Sequence, residues 1–118
     1  MRIMKSQHFG RIINIGSISA QTPRMNSAAY TTSKHGIVGL TKSTALEGRS
    51  FGVIASCLHA GNVDTQIRSG EDSLDDEEPM MVPGDVAEAA LTMATLPDNV
   101  NMLEAIVLPV TQLYIGRG

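Results

Sequence analysis

Tyr30 and Lys34 stand four residues apart in the run Tyr30-Thr31-Thr32-Ser33-Lys34, and Ser17 lies thirteen residues before Tyr30, just after an apolar stretch. In a helix, residues i and i+4 share one face, so the phenol and the ammonium would be neighbours. A phenol is a weak acid near neutrality, and a nearby ammonium stabilises the phenolate. The positive end of the helix dipole acts in the same direction if Tyr30 lies in the first turn. Ser17 could then hold a carbonyl or hydroxyl oxygen while Tyr30 exchanges a proton with it. The three residue types predict a general acid/base set drawn from separate elements.

Those elements can be read along the chain. Met1 to Gln7 mixes apolar and polar residues at helical spacing, with Gly10 placed to end that helix or its turn. Ile12-Ile13-Asn14-Ile15 is short and β-branched, the mark of a buried strand. Gly16 to Asn26 is a loop rich in Gly, Ser, Thr and Pro. Asn26 or Ser27 can cap a helix running to about Glu47. Gly48 and Gly52 bracket a turn, and Val53 to Leu58 reads as a second buried strand. After a long connection, Asp85 can cap a helix from Val86 to about Leu96, and Glu104 to Val110 reads as a third strand. Alternating helices and strands predict an α/β fold, an open parallel sheet with crossover helices. In such sheets, sites form beyond the carboxyl ends of the strands. That edge is where Ser17, Tyr30 and the stretch Gly61 to Thr65 should meet.

The bulk properties bound the reading. A chain of 118 residues with 42% apolar and 18% charged residues predicts one globular domain over 1–118. A net charge of -3 gives no basic face for nucleic acid. No apolar run approaches a membrane span or a secretory signal, so the expected location is cytoplasmic. Cys57 is the only cysteine, which excludes an intrachain disulfide. Six of the eight residues from Glu71 to Glu78 are acidic. That run reads first as a solvated, self-repelling loop and second as a lid over a site, with no interleaved ligands for a metal.

Taken together, Gly10-Arg11-Ile12-Ile13-Asn14-Ile15-Gly16-Ser17, then Tyr30-x-x-x-Lys34, then Gly61-Asn62-Val63-Asp64-Thr65 resemble the C-terminal, catalytic half of the short-chain dehydrogenase/reductase family. The resemblance covers nearly the whole chain. It implies a partial Rossmann-like, doubly wound parallel sheet of about three strands, working with NAD or NADP. It also implies hydride transfer between the nicotinamide and a small alcohol or carbonyl substrate. Carried over, Ser17 orients the substrate oxygen and Tyr30 donates or accepts the proton. Lys34 assists the tyrosine and bonds the nicotinamide ribose. Gly61, Val63 (through its backbone) and Thr65 belong to the segment that passes the nicotinamide amide. Ser19 is a rival for the role of Ser17, at a spacing that fits the family less well.

Two departures from the family pattern stand out. Ala60-Gly61 replaces the usual Pro-Gly, and no glycine-rich phosphate loop occurs in the chain. The sequence therefore reads as a catalytic half without its cofactor-binding half, and as a strand Ile12–Ile15 with an open side. The rival reading is a truncated, non-catalytic chain that acts by oligomerising with itself or with related subunits. The helix bearing Tyr30 and Lys34 would supply the contact, with Gly36 and Gly39 permitting close approach.

Overall fold

The computed structural model describes residues 1–65 and 78–116. Most of the acidic run, residues 71–77, lies outside the described residues, and so do the loop and lid readings of it. Among the described residues, three α-helices and three strands follow in the order α1 (Arg2–Gln7), β1 (Gly10–Ile15), α2 (Ala28–Gly48), β2 (Val53–Ala60), α3 (Pro83–Ala94) and β3 (Glu104–Val107). The sheet is parallel throughout, in the spatial order β1-β2-β3. Gly10 pairs with Val53 and Ile15 with Leu58, while Cys57 pairs with Glu104 and Ala60 with Val107.

Burial along β2 shows that the sheet is covered on both faces. Side chains alternate across a strand, yet Ala55 and Cys57 on one face and Ser56 and Leu58 on the other are all fully buried. On the first face Asn14 of β1 donates from Nδ2 to Thr41 Oγ1 at 2.9 Å, and that hydroxyl donates to Ile37 O at 2.7 Å. This chain of bonds fixes α2 against the sheet. On the second face Ser56 Oγ donates to Asn101 Oδ1 at 2.8 Å, and Asn101 Nδ2 donates to Ala55 O at 3.0 Å. The architecture is an open, doubly wound α/β sheet.

Arg11 ties α3 to that second face. Its guanidinium donates to Met93 O (3.0 Å), Leu96 O (3.0 Å), Pro97 O (3.1 Å) and Val100 O (3.3 Å). The last carbonyls of a helix have no partner within the helix, and they carry the negative end of its dipole. One planar cation therefore satisfies the end of α3 and the turn beyond it. Arg11→Ala is expected to destabilise the fold by about 2 kcal/mol, since hydrogen bonds to a charged group are each worth about 1.5–3 kcal/mol but these carbonyls are partly wet. A lower urea midpoint at unchanged slope would show it, and an unchanged midpoint would refute it.

The element boundaries differ from the sequence reading at several points. The αL residue that ends α1 is His8 (φ 54°), not Gly10, which already belongs to β1. Ile18–Ala20 forms a 3-10 turn inside the expected loop. Ser27 stands at the N-cap of α2 without bonding the helix amides; its hydroxyl is turned to Arg24 O at 2.8 Å and to Thr31 Oγ1 at 2.9 Å. Asn26 adopts a left-handed φ of 58°. Helix α3 starts earlier than expected, at Pro83, because proline suits the first helical position. Asp85 is then not the cap; its Oδ2 accepts from the amide of Val82 at 3.0 Å. Strand β3 stops at Val107 rather than Val110, two residues before Pro109, which has no amide proton for a ladder.

Candidate active site

The carboxyl ends of β1 and β2 and the first turns of α2 enclose a cavity of about 670 Å³. Ser17, Tyr30, Lys34, Gly61, Val63 and Thr65 all line it. The six residues singled out from sequence are therefore brought together at one edge of the sheet. Ser19 and Arg24 line the same cavity.

Ser17 follows β1 and caps the 3-10 turn, its Oγ accepting from Ser19 N at 3.1 Å. A hydroxyl that accepts one bond keeps its proton to donate. Ser19 is 5% exposed. Tyr30 is in the first turn of α2 and half exposed, so its phenol is open to the cavity. Lys34 Nζ lies 5.6 Å from the centroid of the Tyr30 ring and donates to Ile15 O at 3.2 Å. That bond anchors the ammonium to the end of β1 and keeps its positive charge beside the phenol.

The segment after β2 is also pinned. Met81 N donates to Asn62 O at 2.9 Å and Asp64 N donates to Met81 O at 2.9 Å, which makes a parallel bridge between Val63 and Met81. The bridge uses the carbonyl before Val63 and the amide after it, so Val63's own amide and carbonyl take no part in it. Gly61 N donates to Val107 O at 2.8 Å, and a Cβ on Gly61 would collide with the side chain of Gln112. Gln112 Oε1 in turn accepts from Asn62 N at 2.8 Å.

Some of the site was not read from sequence. Asn62 is 5% exposed; its Oδ1 accepts from Arg24 Nη2 at 3.4 Å and its Nδ2 donates to Glu78 Oε2 at 2.9 Å. Arg24 looks like an ordinary loop cation in the sequence, and only the partner 38 residues away places it at the cavity. His59 lies inside β2, fully buried and directly beneath Ser17. Cys57 is buried beside it, and desolvation pushes its thiol above the usual range, outweighing the hydrogen bond with Thr41. Among the described residues no His, Cys, Asp or Glu cluster could hold a metal ion, and no helix is long and apolar enough to cross a membrane.

The sequence and the fold match known proteins. A family model for short chain dehydrogenases matches residues 1–76. The chain belongs to the short-chain dehydrogenase family. Among its relatives, an uncharacterized oxidoreductase of Bacillus subtilis is 49% identical over 65 residues, covering 55% of this chain and 25% of that protein. An uncharacterized oxidoreductase of Staphylococcus aureus is 34% identical over 107 residues, covering 91% of this chain and 46% of that one. The closed form of serine dehydrogenase in complex with NADP+ superposes over the whole chain with a TM-score of 0.89 at 26% identity, covering 51% of its own length. The chain thus spans about half, or less, of the short-chain dehydrogenases it matches. The open, doubly wound sheet is a partial Rossmann-like fold.

Proposed function

We propose that this chain carries the catalytic half of an NAD(P)-dependent oxidoreductase acting on a small alcohol or carbonyl compound. The observation that carries the reading is the convergence of Ser17, Tyr30 and Lys34 on one cavity at the carboxyl edge of the sheet. The nicotinamide end of a cofactor fits what the cavity offers. A carboxamide needs one acceptor and one donor, and Val63 has a backbone carbonyl and amide outside its bridge. The ribose hydroxyls need polar partners, which Tyr30 and Lys34 supply from the first two turns of α2. Gly61 and Thr65 complete that wall. When bound, the nicotinamide supplies or takes up the hydride.

The protein's own groups do the rest. Ser17 Oγ, held by the amide of Ser19, donates a hydrogen bond to the substrate oxygen and fixes its position. Tyr30 then gives a proton to that oxygen in reduction, or takes one in oxidation. Lys34, held on Ile15 O, stabilises the charge that develops on the phenol oxygen. Steady-state turnover of alcohols and carbonyls with NAD or NADP, with and without the Tyr30 hydroxyl, tests the reading. Turnover that ignores the hydroxyl would end it. The serine dehydrogenase complex holds NADP+; turnover with NADP against turnover with NAD decides which of the two this chain prefers.

A second reading rests on the outer surface of α2. A Cβ added to Gly36 or Gly39 would meet nothing within 4 Å, and Leu40 and Leu46 are 56% and 60% exposed. Small residues beside bare leucines suit packing against another helix, either in a second copy or in a related subunit. Light scattering is expected to give at least twice the 12.6 kDa protomer mass. A mass that stays at one protomer, alone and mixed with a full-length relative, would dispose of the contact.

A further inference from the structure

His59 is an ionisable side chain at the centre of the sheet that the proposed chemistry does not use. Its ring is fully buried between Ser17 and β3. Nδ1 lies 3.3 Å from Ser17 N and 3.1 Å from Ser17 O. Nε2 lies 3.6 Å from Glu104 Oε2, beyond hydrogen-bond reach, and has no other partner among the described residues. Lys42 Nζ stands 3.4 Å from the other oxygen of Glu104 and is itself well exposed. A buried polar atom without a partner is costly, so which ring nitrogen carries the proton follows from the contacts of each.

Two neutral tautomers can be compared bond by bond. If Nδ1 carried the proton, it would donate to Ser17 O. That carbonyl already accepts from Ala20 N at 2.9 Å. Nε2 would then point a lone pair at a carboxylate inside the protein, and Ser17 N would lose its acceptor. If Nε2 carries the proton, Nδ1 meets Ser17 O at 3.1 Å with no proton between them, but the other contacts improve. Nδ1 accepts from Ser17 N, Ala20 keeps Ser17 O, and the Nε2–H faces the negative oxygen of Glu104. We propose that His59 is a positioning residue for Ser17, held as its neutral Nε2–H tautomer by Glu104 so that Nδ1 grips the Ser17 amide from beneath. Lys42 holds Glu104 from the surface. Because Ser17 starts the 3-10 turn and its Oγ is fixed by Ser19 N, gripping its amide sets where its hydroxyl enters the cavity. The functional weight of this grip rests on the proposed role of Ser17; the grip itself does not.

Nitrogen-15 NMR of the 118-residue protein reads the tautomer without cofactor, substrate or mutation. The expected pattern for His59 is a protonated Nε2 and an acceptor-type Nδ1. A protonated Nδ1, in either the other tautomer or the cation, overturns the proposal. Amide exchange supplies the second readout. His59→Asn puts an amide oxygen close to the place of Nδ1 and should keep Ser17 N protected. His59→Gln reaches only toward the Nε2 position and should expose Ser17 N to about tenfold faster exchange, the equivalent of one lost hydrogen bond. A purely space-filling His59 would favour neither variant, and equal protection in both would refute the grip. Glu104→Leu should leave His59 as a mixture of tautomers; a ring unchanged by it removes Glu104 from the account. Failure of turnover on Tyr30→Phe to fall would defeat the proposed chemistry and leave these readouts untouched.

Discussion

Tyr30→Phe should lower kcat for alcohol or carbonyl turnover by about 100- to 10,000-fold, the range that a positioned proton donor contributes. The substitution removes one oxygen and little else. The ring that faces Lys34 at 5.6 Å remains, and Lys34 keeps its bond to Ile15 O. Tyr30 is half exposed at the start of α2, so the change in stability should stay within about 0.5 kcal/mol. Cofactor affinity should fall far less than kcat, because the phenol is one of several groups along that wall. The measurement is kcat and KM at saturating cofactor beside a thermal melt of the same preparation. A variant that melts like the parent and keeps its kcat would show that some other group moves the proton.

Gly16→Ala is expected to cost about 2–3 kcal/mol, at the upper end of the usual cost of overpacking by a small group. Gly16 is not at a positive φ, so its backbone conformation alone would admit alanine. The obstacle is space. A Cβ there would lie 2.8 Å from His59 Cε1 and 2.9 Å from Cys57 Sγ, and nearer still to His59 Nδ1. Neither neighbour can step aside, since both are fully buried in the central strand. Relief must come from lifting β1's end away from β2, which stretches the bond from Gly16 N to Leu58 O at 2.8 Å and carries Ser17 with it. Urea denaturation reads the loss directly. Adding His59→Ala to the same chain should recover part of it, because the two sites share one contact. A Gly16→Ala protein as stable as the parent would remove the crowding explanation.

The local signals in the sequence were strong where the chain makes its own case. The β-branched run Ile12-Ile13-Asn14-Ile15 and the run from Val53 mark β1 and β2, and the alternation of elements yields the parallel sheet. Ser17, Tyr30 and Lys34 were legible because four-residue spacing and the end of a strand fix geometry over short range. Boundaries were less legible. His8 takes a left-handed turn that glycine would make more readily, and Pro83 starts α3 before Asp85 can cap it. The residues that the sequence hid act through distant partners. Arg11 reaches carbonyls 82 to 89 residues away, and Arg24 finds Asn62 at 38. His59 meets Ser17 at a separation of 42. No local periodicity encodes such meetings; they exist only once the strands have been laid side by side.

The order β1-β2-β3 also governs how this sheet can come into being. Every ladder partner of β2 lies more than forty residues away along the chain, on both sides. A hairpin can start from neighbouring residues, but here each pairing must first close a long loop, whose entropic cost precedes any reward. The middle strand can therefore be zipped only after α2 has folded back on it, and β3 only after α3 has done the same. Kinetics slower than those of a helical bundle of this length follow from connectivity alone, and during that delay the apolar middle strand is the segment most in need of protection from other chains.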